Sequence, residues 1–66
     1  MVMLNKVYSG LALDYKVTLH GNEQFALYVR NDAHNWELYD VYDDPDEAAE
    51  DGEELMSQAE AVSDFY

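Results

Sequence analysis

Ten carboxylates, on Asp40, Asp43, Asp44, Asp46, Glu47, Glu50, Asp51, Glu53, Glu54 and Glu60, fall in a stretch of chain that contains no Lys or Arg. Acids at this density could exchange protons, hold a hard cation, or stand in for a row of phosphates. Proton exchange needs carboxyl groups tuned by burial, and these lie in a segment that reads as an exposed helix, so no catalysis is expected. A calcium loop of the EF-hand type needs oxygen ligands at positions 1, 3 and 5, Gly at 6 and Glu at 12. With Gly52 at position 6, Ala49 falls at position 3 and Gln58 at position 12, so the pattern fails and no metal is expected. His20 and His34 fall in turn-forming stretches of a chain without cysteine, and neither has a zinc-site spacing. Phosphate loops and nucleophile elbows are missing too, and no cofactor is implied. Recognition of a cationic partner is the chemistry that remains.

The distribution of charge carries more information than its total. The 66 residues hold 15 acids against 3 bases, a formal net charge of −12. Up to Trp36 the two signs cancel; from Glu37 onward there are only acids. Adaptation to high salt would spread acids over every surface, whereas a neutral half joined to an anionic half points to one specialised face. Such a field repels nucleic acid and anionic membranes and attracts basic surfaces. No apolar run approaches the roughly 20 residues of a membrane span, and the opening MVMLNKVYSG is too short and polar for a signal peptide. The expectation is a soluble, cytoplasmic protein.

A chain of this size forms one domain with a thin core, here without disulfides and dependent on its nine aromatic residues. Leu13, Tyr15, Val17 and Leu19 alternate with Asp14, Lys16, Thr18 and His20, the period of a strand with one buried face. The turn residues His20-Gly21-Asn22-Glu23 follow, with Gly and Asn suited to positive φ. Phe25, Leu27 and Val29 then alternate with Ala26, Tyr28 and Arg30, completing a hairpin. After a second polar turn over residues 31–35, residues 36–42 read as a third strand of ambiguous facing. Trp36 with Leu38 would bury Asp40, and Tyr39 with Val41 would bury Glu37, so a bulge or exposed end is expected near Asp40. In the first ten residues Val2, Leu4, Val7 and Tyr8 could form a short edge strand or one turn of helix, of which the strand is preferred, and Ser9-Gly10 would break either.

The closing segment reads as a helix. Asp44 is an N-cap, Pro45 suits the first helical position, and Asp46 and Glu47 face the positive end of the dipole, with Glu47 at the capping-box position. Ala48, Gly52, Leu55, Met56, Ala59, Val62 and Tyr66 form an apolar stripe. Gly52 in that stripe costs about 1 kcal/mol of helix propensity, a cost explained if the helix approaches the sheet closely there. Asp46, Glu50, Glu53, Glu60 and Asp64 fall opposite, flanked by Glu47, Asp51 and Glu54. Like charges at these spacings each cost roughly 0.2–0.5 kcal/mol, so the acids serve something other than the fold. The expected architecture is α+β: an antiparallel sheet of three to four strands over residues 1–43, packed by an amphipathic acidic helix over residues 44–66.

A helix over residues 45–62 would be about 27 Å long, a length along which duplex DNA presents roughly sixteen phosphates, against the ten carboxylates named above. The functional expectation is therefore an inhibitor that mimics nucleic-acid phosphates and occupies the basic groove of a partner. Tyr39 and Tyr42, close to the acids, are added as contact residues because tyrosine joins apolar area to a polar tip; Tyr28 is a third candidate. The pattern Asp14-Tyr15-Lys16-Val17-Thr18-Leu19-His20-Gly21 with Leu27-Tyr28-Val29-Arg30-Asn31-Asp32, followed by an acid-rich segment, resembles the small phage-encoded anti-CRISPR and anti-restriction DNA mimics. That resemblance implies a host defence nuclease, a Cas effector or restriction enzyme, as partner. The alternative is an interaction module, an antitoxin or adaptor, that binds a basic protein without mimicry. Phe65, Tyr66 or an uncovered edge strand could also pair two copies, leaving monomer and homodimer both open.

Overall fold

The computed structural model describes residues 3–31 and 35–64, with side chains as far as Glu60. Among the described residues four strands, β1 (Tyr8–Ser9), β2 (Asp14–Leu19), β3 (Phe25–Arg30) and β4 (Glu37–Tyr42), precede one helix, α1 (Pro45–Asp64). The strands form an antiparallel sheet in the order β1-β2-β3-β4. With α1 on one face this is the α+β arrangement that the alternating and helical periods predict. Among the described residues, no helix is long and apolar enough to cross a membrane.

The period-two pattern puts Tyr15 and Val17 of β2 and Leu27 of β3 on the helix side, where they close the core with Ala48. The helix crosses the sheet diagonally. Tyr42 on β4 bonds to Asp51, Gly52 lies on Tyr15, and Met56 and Glu60 reach the β1–β2 connection at Gly10 and Leu11. Leu19, assigned to the buried face by its period, is left 60% exposed. Ala26, assigned to the outer face, is fully buried, a small side chain on a central strand between the paired residues Thr18 and Val41.

Three local expectations change. The edge strand at the N-terminus is only two residues long, because Asn5 turns the chain with φ 63°. Its amide still donates to the Val17 carbonyl at 2.8 Å. Ser9 belongs to β1 rather than ending it; the break comes at Gly10, whose N–H donates to Leu13 O at 3.0 Å. In the β2–β3 turn, positive φ falls on Gly21 (98°) and Glu23 (58°) and not on Asn22. Asp32, Ala33 and His34 of the next turn lie outside the described residues.

The ambiguity of β4 resolves as a bulge. Leu27 pairs with Asp40 while the next residue, Tyr28, pairs with Leu38, so Tyr39 is the extra residue. One residue of slip resets the alternation, which is how Leu38 and Val41 come to share the open face, with Tyr39 and Tyr42 on the helix side. Trp36 precedes the strand.

At the start of α1, Asp44 Oδ1 accepts the Asp46 amide at 2.8 Å and the Asp44 carbonyl accepts the Ala48 amide at 3.2 Å, the cap the residue types predict. Gly52 is buried against the sheet: a Cβ there would lie 2.6 Å from Tyr15 Cδ1. The side chains of Val62 and Tyr66, the far end of the expected stripe, lie outside those described.

Candidate functional site

The helix capped by Asp44 carries the acids in two sets with different surroundings. Asp43, Asp44, Asp46, Glu47, Glu50 and Glu54 are exposed along the entry to α1 and its outer side; Glu54 accepts a 3.4 Å bond from Gln58 one turn on. A second set borders the sheet and is bonded to it. Glu53 Oε1 accepts from the Tyr15 hydroxyl at 2.9 Å, Asp51 Oδ2 from the Tyr42 hydroxyl at 2.7 Å, and Glu60 Oε1 from the Leu11 amide at 3.2 Å. The helical spacing had placed Glu53 and Glu60 opposite the apolar stripe. They instead reach its border, because the diagonal crossing brings β1, β2 and the loop after β1 up beside the helix.

Both tyrosine hydroxyls are held in the neutral form. Burial raises the ionisation of Tyr15 well above the usual phenol range, reinforced by its bond to Glu53 and by the charge of that carboxylate. Tyr42 is raised in the same way, by burial first and then by its bond to Asp51 and the nearby charges of Asp51 and Asp40. Tyr42, a candidate contact residue, therefore has its polar tip bonded within the protein. Tyr39 differs: it is 52% exposed at the bulge and stands over a groove of about 460 Å³ lined chiefly by Leu13, Val29, Leu55 and Ala59. Asp40 is exposed, and its Oδ1 accepts the Val41 amide at 2.7 Å.

Two of the three bases lie on the far face of the sheet. Lys16 and Arg30 alternate with the core residues of β2 and β3, which puts them on the sheet face away from α1. Arg30 Nε bonds Asp14 at 3.0 Å and its guanidinium stacks 4.4 Å from the Trp36 ring. Lys16 Nζ lies 4.5 Å from the centroid of the same ring and 5.7 Å from that of Tyr28. Lys6 lies over Tyr8 at 5.2 Å, and Tyr8 stacks on Tyr15 at 4.9 Å. Each base is thus engaged with an aromatic ring, and two of the three are separated from the helix by the sheet.

A second groove, about 560 Å³, runs between β1 and the first turns of α1, lined by Tyr8, Tyr15, Asp46, Ala49, Glu50 and Glu53. The sequence marks Tyr8 as part of an edge strand but not as a site residue. Its place in the groove follows from its pairing and stacking with Tyr15, and a two-residue strand gives no period from which to read it. Among the described residues no group of three or more acids or histidines is placed to hold a metal ion. Comparison with protein-family models, curated proteins and solved structures gives no match for this chain.

Proposed function

We propose that this chain is a small, non-catalytic, cytoplasmic inhibitor whose exposed carboxylates stand in for nucleic-acid phosphates and occupy the basic groove of a partner, a Cas effector or restriction nuclease being the partner class implied by its resemblance to phage-encoded anti-CRISPR and anti-restriction inhibitors. The observation that carries this reading is the segregation of charge. Asp43, Asp44, Glu47, Glu50 and Glu54 are exposed on α1 and its entry, while Lys16 and Arg30 are held by Trp36 and Asp14 across the sheet. Interleaved bases would relieve the repulsion along α1; their exclusion leaves the field of the helix to act outward. At 20 residues the helix is about 30 Å long, matching the span of a groove built for a short duplex. Binding of this kind is stoichiometric, electrostatically steered and weakened by salt.

The apolar groove under Tyr39 favours a second reading, an antitoxin or adaptor that anchors a basic protein through an apolar side chain as well as through charge. Competition separates the two. Affinity capture from the native host followed by mass spectrometry names the partner, and titration of the complex with duplex DNA or RNA then tests mimicry. A mimic is displaced as nucleic acid saturates its partner; a complex that survives saturation overturns the mimicry reading and leaves the interaction module.

A further inference from the structure

Among the described residues, the sheet has one long uncovered edge. β1 and the Asn5 amide cover part of β2, and β3 is internal, but among those residues β4 has a strand neighbour only on the β3 side. A strand edge presents unpaired N–H and C=O groups and is a template for another chain. On β4 one such group, the Val41 amide, is taken by the carboxylate of the residue before it, Asp40 Oδ1, at 2.7 Å. The bulge at Tyr39 adds a bend at the same place.

We infer that Asp40 is an edge guard, which keeps β4 from pairing antiparallel with β4 of a second copy of this chain. The second copy is the occupant to which the geometry points, because a two-fold axis through the middle of β4 would extend the four-stranded sheet into a continuous eight-stranded one. The strand that must enter has to replace a charged acceptor on Val41 with a neutral carbonyl, the weaker of the two bonds. It also brings Glu37, Asp40 and Asp43 of both copies together across a spacing of about 4.8 Å, and like charges facing each other oppose pairing. The guard thus works through a contact and through charge. Asp40 has a purpose within the fold that is separate from any nucleic-acid mimicry.

Sedimentation velocity in about 1 M salt, where the Debye length falls to about 3 Å, isolates the contact from the charge. Wild type is expected to sediment as a monomer, and Asp40→Asn, whose neutral side-chain oxygen still accepts the amide but less strongly, to dimerise less than Asp40→Ala. Asp40→Ala is expected to dimerise about tenfold more tightly or better, with hydrogen exchange at β4 amides slowing as concentration rises. In wild-type protein the Val41 amide should exchange more slowly than an unprotected amide, a measurement that needs no variant. The inference is overturned if Asp40→Ala keeps a wild-type circular dichroism spectrum and stays monomeric, or if its dimer leaves β4 amides unprotected. It is equally overturned if Asp40→Asn dimerises as strongly as Asp40→Ala, if wild type is already a β4-paired dimer, or if the wild-type Val41 amide is unprotected.

Discussion

The ring of Tyr15 lies so close to Gly52 that a Cβ on the glycine would come within 2.8 Å of three ring carbons. Tyr15 cannot yield easily, being 1% exposed and tied at its far end to Glu53. Gly52→Ala would gain about 1 kcal/mol of helix propensity, yet overpacking a tight contact costs typically about 1–3 kcal/mol. The expected outcome is a net loss of stability, measured as a lower urea midpoint. A gain in stability would show that helix and sheet do not approach this closely.

The acids of α1 should separate by substitution into recognition and fold. Glu50→Lys and Glu54→Lys, beyond the first turn of α1, remove like-charge neighbours worth roughly 0.2–0.5 kcal/mol per pair, so stability should hold or rise while partner binding and its salt dependence collapse. Glu53→Ala should behave in the opposite way. It leaves the buried Tyr15 hydroxyl without its acceptor, at a cost of about 1–3 kcal/mol. Thermal melts beside binding titrations of both sets check this, and equal behaviour of the two sets would count against the division.

Alkaline pH should unfold the protein through Tyr15 and Tyr42. Their ionisation is raised in the folded state by burial and by the bonds to Glu53 and Asp51, whereas an unfolded tyrosine ionises near 10. The folded state therefore holds its phenolic protons more tightly. The stabilisation is fully present below about pH 10 and is lost as pH rises beyond it. Absorbance titration of the six tyrosines should show two ionising late and together with unfolding. In Tyr42→Phe one of the late pair should disappear.

Loss of the helix cap should be felt by the whole molecule. Asp44 Oδ1 holds the Asp46 amide, and replacing such a cap by Ala costs about 0.5–2 kcal/mol. Since α1 supplies the cover for the sheet, Asp44→Ala should lower the melting temperature of helix and sheet signals in parallel. Separate transitions by far-ultraviolet circular dichroism and Trp36 fluorescence would show that the two layers are not coupled.

Local patterns carried much of this protein in its sequence. The alternation around Tyr15 and Leu27, the Asp44-Pro45 start and the stripe from Ala48 to Ala59 depend on residues a few positions apart, and each forms as its spacing requires. So did the conflict of facing in β4, since a strand that cannot satisfy either alternation has to slip, and it does so at Tyr39. The crossing angle of α1 was not legible, because it depends on how Gly52 seats on Tyr15 and not on any period. That angle decided that Leu19 is exposed. It also decided that Glu53, Asp51 and Glu60 bond to Tyr15, Tyr42 and Leu11 instead of facing outward. The bases were counted from composition alone, but only tertiary structure could place Lys16 and Arg30 on Trp36 across the sheet, because charge contacts between elements depend on distances that sequence separation does not encode.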